Sequence, residues 1–211
     1  MQPLNIACIG GGHGLARLMK SLSINPTWQL SGIVCTTDNG GSTGRLREKD
    51  KTIGWGDIRY CMNQLVDPTS LEYLLFDYRF DQASDLSNHA LGNLMLYAAD
   101  QMCIRPTETV KLMSQMVNLS TQILPMSDNP CNLIANTLGG DTVCGETDID
   151  EFAQTLDYST LTLTEGVSAT KEVLSALQNS DLLLIAPGSF VTSILPPLLI
   201  TELINAINKS Q

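Results

Sequence analysis

The sequence predicts an α/β domain: a three-layer, mainly parallel, Rossmann-like sheet with helices on both faces and a small antiparallel patch. Three observations predict it. Short apolar runs such as 30-LSGIVCTT-37 and 181-DLLLIA-186 have the near-continuous hydrophobicity of strands buried on both faces. Stretches of helical periodicity alternate with them, the order that produces a parallel sheet with crossover helices. The first apolar run also passes straight into the glycines of 10-GGGHG-14 and then into a helix. Glycines that give up this much conformational freedom on ordering point to a tight turn or to a backbone that must lie bare.

Residues 5–10 form the first strand, and Leu15, Leu18, Met19 and Leu22 supply the i, i+3, i+4, i+7 face of the helix behind it. The run 30–37 gives the second strand and closes a right-handed βαβ crossover. The segment 38-DNGGSTGRLREKDKTIGWG-56 reads as a polar loop, and helical patterns follow at 57–66, 68–79, 88–102 and 106–117. Asp67 before Pro68 reads as the cap of the second of these. Strand-like pieces at 121–126, 132–138 and 142–146 predict the antiparallel patch, with 139-GGD-141 as a hairpin turn. The last third gives a strand at 160–164, a helix at 168–178, a strand at 181–186 and a closing helical region interrupted by Pro196-Pro197.

A chain of 211 residues buries roughly 70% of its unfolded surface in one core and is short for two, so a single domain over 1–211 is expected. Hydrophobic residues at 43% and charged residues at 16% exclude a disordered chain, and only 5% aromatics argues against a stacking platform for single strands. The net charge of −10 is uneven: residues 1–59 carry seven Lys and Arg against four Asp and Glu, the remainder five against eighteen. A basic excess beside the glycines suits a small anion, whereas the acidic body repels nucleic acid. Six scattered cysteines without a C-x-x-C pair read as reduced core residues. With no signal-peptide pattern and no run of about 18 apolar residues, a cytoplasmic protein without a membrane span is expected.

Three loops carry the candidate chemistry. The first, Gly10 to Gly14, has Leu15 where the dinucleotide fingerprint has its third glycine, and lacks the Gly-Lys-Ser/Thr of a phosphate-binding P-loop. It retains bare amides at a helix N-terminus, worth about 1–2 kcal/mol to an anion. His13 is either a donor to that anion or a turn residue. In the second loop, 36-TTDNGGSTGRLR-47, Asp38 stands where nucleotide-binding folds place an acid against a ribose, or holds a magnesium ion through water. Asn39, Gly40, Gly41, Ser42 and Thr43 offer short donors, and Arg45 and Arg47 could neutralise phosphate; plain turn chemistry is the alternative. The third, 186-APGSFVTS-193, brings Gly188 and Ser189 to another helix start, as an anion cradle or a routine turn. His89 and Asn93, four apart, read as buried caps or as site groups. Asp57 reads as a helix cap, with Arg59 reaching toward the loops as the functional alternative. By residues alone this is a phosphate- or nucleotide-binding domain with no assigned reaction.

Taken together, GGGHG, TTDNGGSTGRLR, WGDIR, YRF at 78–80, HALGNL, ILPMS and PGSF followed by TSILP resemble, in order and over essentially the whole chain, the CofD/YvcK-like family. One branch of that family is the 2-phospho-L-lactate transferase; the other, which GGGHG and TTDNGGSTGR resemble, is the gluconeogenesis factor. The resemblance implies a nucleotide-sugar ligand of the UDP-N-acetylglucosamine type, with a magnesium requirement left open, and a link to cell shape and envelope metabolism through a protein partner in envelope synthesis. It places binding at Gly11, Gly12, His13, Gly14, Thr37, Asp38, Asn39, Gly40, Gly41, Ser42, Asn93, Gly188 and Ser189, and leaves catalytic and metal-ligating residues unassigned. A phospholactyl-type transferase using a nucleotide diphosphate donor is the alternative function. Ala186 and Val191 depart from the family pattern in the third loop. Family members also run on for about 90 further residues, a large share at ordinary domain sizes, so an exposed sheet edge and a homo-oligomer are expected.

Overall fold

The opening apolar run becomes β1 (Leu4–Gly10), followed by α1 (Gly12–Leu22) and β2 (Trp28–Val34), and β1 and β2 pair in parallel from Leu4 opposite Trp28 to Gly10 opposite Val34. This computed structural model describes residues 3–81 and 85–209. After β2 come α2 (Gly41–Lys49), α3 (Trp55–Leu65), α4 (Leu71–Asp77), α5 (Leu91–Asp100) and α6 (Pro106–Met116). Next are β3 (Gln122–Pro125), β4 (Leu133–Thr137), β5 (Thr142–Cys144), α7 (Glu146–Glu151) and β6 (Leu156–Leu163). The chain finishes with α8 (Lys171–Gln178), β7 (Leu182–Ile185), a π-turn at Phe190–Ile194, α9 (Leu195–Leu198) and α10 (Thr201–Lys209).

The main sheet is parallel in the order β3-β2-β1-β7, and the second sheet is antiparallel in the order β5-β4-β6. Alternate side chains of the main sheet feed two cores, as the two-residue strand repeat requires. Ile6, Cys8, Leu30, Val34 and Ile123 join Leu15, Met19, Trp55, Ile58 and Met62 on one face. Ala7, Ile9, Ile33, Cys35 and Leu124 join Val173, Leu177 and Leu203 on the other. The result is the expected helix, sheet, helix sandwich. A third cluster, Leu133, Ala135, Val143, Ile149, Leu156 and Leu161, fills the antiparallel unit.

The structure revises several element boundaries. The polar stretch 38–56 contains α2, which buries Leu46 as its single large apolar side chain and so shows no apolar periodicity. Asp67 does not cap α4; its carboxylate accepts from Thr69 N–H at 2.8 Å, a local turn, while the Ser70 hydroxyl caps the helix. The strand expected at 160–164 is longer and belongs to the antiparallel sheet, where it pairs with β4. The hairpin turn falls as expected, with Gly140 at φ +94° between β4 and β5.

From β1 the chain steps outward to β2 and β3, then returns to place β7 on the other side of β1. The strand order therefore reverses between β1 and β7, and ligands of such sheets bind beyond the carboxyl ends of the strands near that point.

Candidate functional site

Beyond the carboxyl ends of β1 and β2 lies a cleft of about 290 Å³ lined by His13, Asp38, Gly40 to Thr43, Gly56, Asp57, Arg59, Tyr60, Arg79 and Asn93. The first two glycine loops, α3 and α5 thus converge on one space. A larger groove of about 790 Å³ opens at the opposite, amino ends of the strands beside Asn5, Trp28, Gln29, Gln122 and Asn179. None of the residues expected at the site reaches that groove, and parallel sheets offer their loop amides at the other end, so the smaller cleft is the candidate.

The first loop is shaped by Asp57. Gly11 precedes α1 with no side-chain cap, and the carboxylate of Asp57, arriving from the first turn of α3, accepts the Gly12 N–H. Gly11 and Gly12 are buried, while the His13 ring is exposed and stacks on Tyr60 at a centroid distance of 3.9 Å. A Cβ on Gly14 would lie 1.6 Å from the Pro187 carbonyl oxygen, so glycine is needed here for two loops to touch.

The second loop is held from within. The Asp38 carboxylate accepts the Gly40 N–H at 2.8 Å through Oδ1. Thr37 is fully buried, its hydroxyl 3.0 Å from the Cys35 thiol. Asn39 turns away from the cleft: its Oδ1 accepts the Thr147 N–H at 3.0 Å and supplies the cap that α7 lacks on its own Gly145. Ser42 stays in the cleft, its hydroxyl 3.0 Å from His89 Nδ1 and accepting the Ala90 N–H. Neither arginine of the loop lines the cleft. Arg47 donates to the carbonyls of Thr37, Asp38, Thr52 and Cys131, and Arg45 donates to that of Ser87. Both arginines bind backbone carbonyls, those of Arg47 lying in and around the second loop.

Asn93, on the first turn of α5, is 3% exposed; its Nδ2 reaches Thr43 Oγ1 at 3.4 Å and its Oδ1 has no hydrogen-bond partner. The third loop stands beside the first but outside the cleft lining. Gly188 and Ser189 are exposed, and the Ser189 hydroxyl accepts the Thr192 N–H as a cap on the π-turn. Of the thirteen expected binding residues, the cleft brings together His13, Asp38, Gly40, Gly41, Ser42 and Asn93; the others support it or lie beside it.

Three carboxylates dominate the local field. Burial first, and then the charge of Asp38, push Asp57 up to about 7, against the lowering effects of the Gly12 N–H and Arg59. Glu146, at the start of α7, is pushed up to about 8 by burial and by Asp57, Asp38 and Asp150, against a hydrogen bond from Thr192. Like charges this close do not all ionise together at neutral pH. Arg59, two residues beyond Asp57 on α3, is 6% exposed, donates to the Phe76 carbonyl at 3.1 Å and keeps an unpartnered Nε. The cleft lining therefore carries charge of both signs, the carboxylates of Asp38 and Asp57 and the guanidinium groups of Arg59 and Arg79.

Sequence reasoning gave Asp57 and Arg59 ordinary roles first and did not reach Glu146 or the charge of Arg79. The signal for Asp57, Arg59 and Arg79 was present in the segments WGDIR and YRF, which carry charged residues within apolar helix ends. Glu146 had no local signal, because only the packing of α7 on Asn39 brings it near.

The family model described as 2-phospho-L-lactate transferase CofD matches residues 6–211. The chain is 46% identical over 206 residues to a Vibrio cholerae protein provisionally named gluconeogenesis factor, covering 98% of the chain and 69% of that protein. It is 37% identical over 202 residues to the gluconeogenesis factor of Bacillus subtilis, covering 96% and 63%. The chain thus spans about two thirds of the length of the curated relatives it matches. A crystal structure of a UPF0052 family member from Bacillus halodurans superposes with a TM-score of 0.92 at 32% identity, covering 100% of this chain and 67% of that one. A match along nearly its whole length, with relatives that share both sequence and fold, makes this chain a member of the CofD family.

Proposed function

We propose that the cleft binds a nucleotide sugar of the UDP-N-acetylglucosamine type, and that the protein works as a gluconeogenesis factor whose bound ligand is read by a partner in envelope synthesis. The observation that carries this reading is the convergence of two glycine loops, Ser42 and Asn93 with two guanidinium groups on one cleft of about 290 Å³. Bare amides and arginines recognise diphosphate oxygens, while the carboxylates of the same lining accept hydrogen bonds from sugar or ribose hydroxyls. A space of this size takes the diphosphate with one adjoining ring, the rest of the ligand extending past the rim. Magnesium, which commonly relies on one or two carboxylates plus phosphate oxygens, fits the donor set of Asp38 and Asp57. Among the described residues no three His, Cys, Asp or Glu side chains are grouped to hold a metal by themselves, so the ligand's phosphates would complete the shell.

On this reading the protein acts in the cytoplasm, without nucleic acid, and as a homo-oligomer. Among the described residues no single helix is long and apolar enough to cross a membrane. Calorimetry with UDP-N-acetylglucosamine, UDP-glucose and GDP, with and without magnesium, is the test. Micromolar binding of a UDP-sugar is expected, and no heat with any of the three would remove the proposal.

A phospholactyl-type transferase is the second reading, and the position of Asp57 favours it. A carboxyl pushed to about 7 beside Asp38 is suited to take the proton of an attacking hydroxyl. Incubation of a nucleotide diphosphate donor with magnesium and hydroxyl acceptors decides the matter: turnover lost in Asp57→Asn supports transfer, and unchanged donor rules it out.

A further inference from the structure

The first turns of α1, α2, α3 and α5 all reach this cleft, and the two that follow glycine loops, α1 and α2, differ in what already occupies them. The amide end of α1, the place where a fold of this type would ordinarily seat a phosphate, is met by the chain's own Asp57 carboxylate, which accepts the Gly12 N–H. A Cβ on Gly12 would lie only 2.3 Å from Asp57 Oδ1, and one on Gly11 would lie 2.8 Å from Ser193 Oγ, so side chains fill the space in front of that turn. A phosphate arriving there would meet a carboxylate and a packed hydroxyl.

The amide end of α2 is different. Its first turn has neither a side-chain cap nor an acidic residue, and Gly41, Ser42 and Thr43 line the cleft. The first amides of a helix have no partner within it. Gly41 sits at φ +44° with nothing within 4 Å of where a Cβ would be, so that backbone is open to an incoming group. Asp38 also lines the cleft and accepts the N–H of Gly40, the residue before α2, through Oδ1 at 2.8 Å. Its Oδ2 lies against Gly56, and no atom of it comes within 4 Å of the Gly41 Cβ position, so the open amides are those of the first turn itself.

A second observation points to an anion at the same place. Arg59 is 6% exposed and lines the cleft with an Nε that has no hydrogen-bond partner. Its Nη1 is tied down behind, to the Phe76 carbonyl at 3.1 Å and to Asp77 at 3.8 Å. Arg79 lines the same cleft from the strand-like segment after α4, and the two guanidinium groups repel each other. The unpartnered Oδ1 of Asn93, itself 3% exposed, is an acceptor and calls for a hydroxyl or other donor on the ligand beside the anion, not for the anion itself. Buried polar atoms without a partner are few in a folded chain and are met by water, an ion or a ligand. Thr36 and Asn63 carry others, but Arg59 Nε and Asn93 Oδ1 are the ones on residues that line the cleft.

We infer that the phosphate seat is the first turn of α2 with Arg59 and Arg79, and that the glycine loop before α1 serves to position Asp57 instead of holding phosphate. The inference rests on the nucleotide-sugar reading for the identity of the whole ligand, but the seat itself takes any phosphate or diphosphate group. Arg59 fixes one oxygen from within, Arg79 closes over the group from the rim, and the α2 amides supply the remaining donors.

The test uses the full chain, inorganic pyrophosphate and UDP-N-acetylglucosamine, with amide chemical shifts to locate binding and calorimetry to measure it. Pyrophosphate is expected to shift Gly41, Ser42 and Thr43 and to leave Gly12 and Gly14 in place. Arg79→Gln, a change at an exposed side chain, is expected to weaken pyrophosphate by about tenfold or more, and Arg59→Lys, which retains charge and loses Nε, by a similar factor. Shifts centred on Gly12 to Gly14, or an affinity indifferent to Arg79→Gln, would overturn the seat while leaving the nucleotide-sugar reading intact. Pyrophosphate bound as described, with UDP-N-acetylglucosamine unable to compete, would keep the seat and remove that reading. Absence of pyrophosphate binding at millimolar concentration would refute the seat outright.

Discussion

The carboxylate of Asp57 and the backbone of Gly12 are in such close contact that a methyl group on residue 12 would sit 2.3 Å from Oδ1 and 3.1 Å from the Asp57 Cα. This contact sets the geometry of the first loop, since it fixes α3 against the start of α1 and leaves room for no side chain between them.

Gly12→Ala and Gly14→Ala are therefore expected to destabilise the fold, the second by about 3 kcal/mol or more because its methyl would meet the immobile Pro187 carbonyl. Gly41→Ala has open space and only its positive φ against it, so it should cost about 1 kcal/mol, and Gly41→Asn less. Urea denaturation of the four variants measures the order; equal losses for Gly14→Ala and Gly41→Ala would contradict the contact.

The buried carboxyls set the sign of a pH dependence. Asp57 and Glu146 ionise near 3.8 and 4.5 when unperturbed and are pushed up to about 7 and about 8 in the fold. The native state then binds protons more tightly than the unfolded chain, so the contribution of this pair is fullest below the ordinary carboxylate range and is lost as pH rises through about 7 and 8. Asp57→Asn, which keeps an acceptor for the Gly12 N–H, should nearly match the parent near pH 4, gain on it as pH rises and level off above about pH 7. Thermal melts across that range give the difference; a variant that falls behind with rising pH would mean that Asp57 is stabilised as the anion.

Arg47 is a structural hub of the second loop. One guanidinium donates to four backbone carbonyls from residues as far apart as Thr37 and Cys131, and a lysine has no geometry to serve them all. Arg47→Met should cost about 3 kcal/mol and loosen residues 36–40, with Arg47→Lys recovering only part of the loss. Hydrogen exchange at Thr37 to Gly40, together with denaturation midpoints, reads both effects.

The strand β7 lies at an edge of the parallel sheet with Leu182 42% and Ile185 54% exposed, and its neighbour Phe190 is 64% exposed. An apolar edge with unpaired amides pairs readily with another strand. The chain should self-associate with rising concentration, and Ile185→Lys should shift sedimentation toward the monomer. An unchanged sedimentation profile would place any association elsewhere.

Much of the scaffold was determined by the sequence alone. Continuous apolar runs named β1, β2 and β7, helical periodicity named α1, α3, α5 and α6, and the glycines of 10–14 named the turn, because each signal is complete within one element. The second helix escaped detection since Leu46 alone gives it an apolar contact, and Arg47, a long-range hydrogen bonder, does the rest.

Only the tertiary structure decided which residues meet. Asn39 looked like a ligand donor in a turn, but packing of the antiparallel unit makes it the cap of α7 and draws Glu146 toward Asp38 and Asp57. Asp57 looked like the cap of its own helix, but the approach of α3 to α1 makes it the cap of another. Arg59 and Arg79 converge from opposite ends of the α3–α4 segment on one space. The physical reason is the same in each case. Local sequence encodes hydrophobic period and turn chemistry, whereas the partner of a polar atom is chosen by contacts between residues distant in the chain, and burial then turns that choice into charge, pKa and binding.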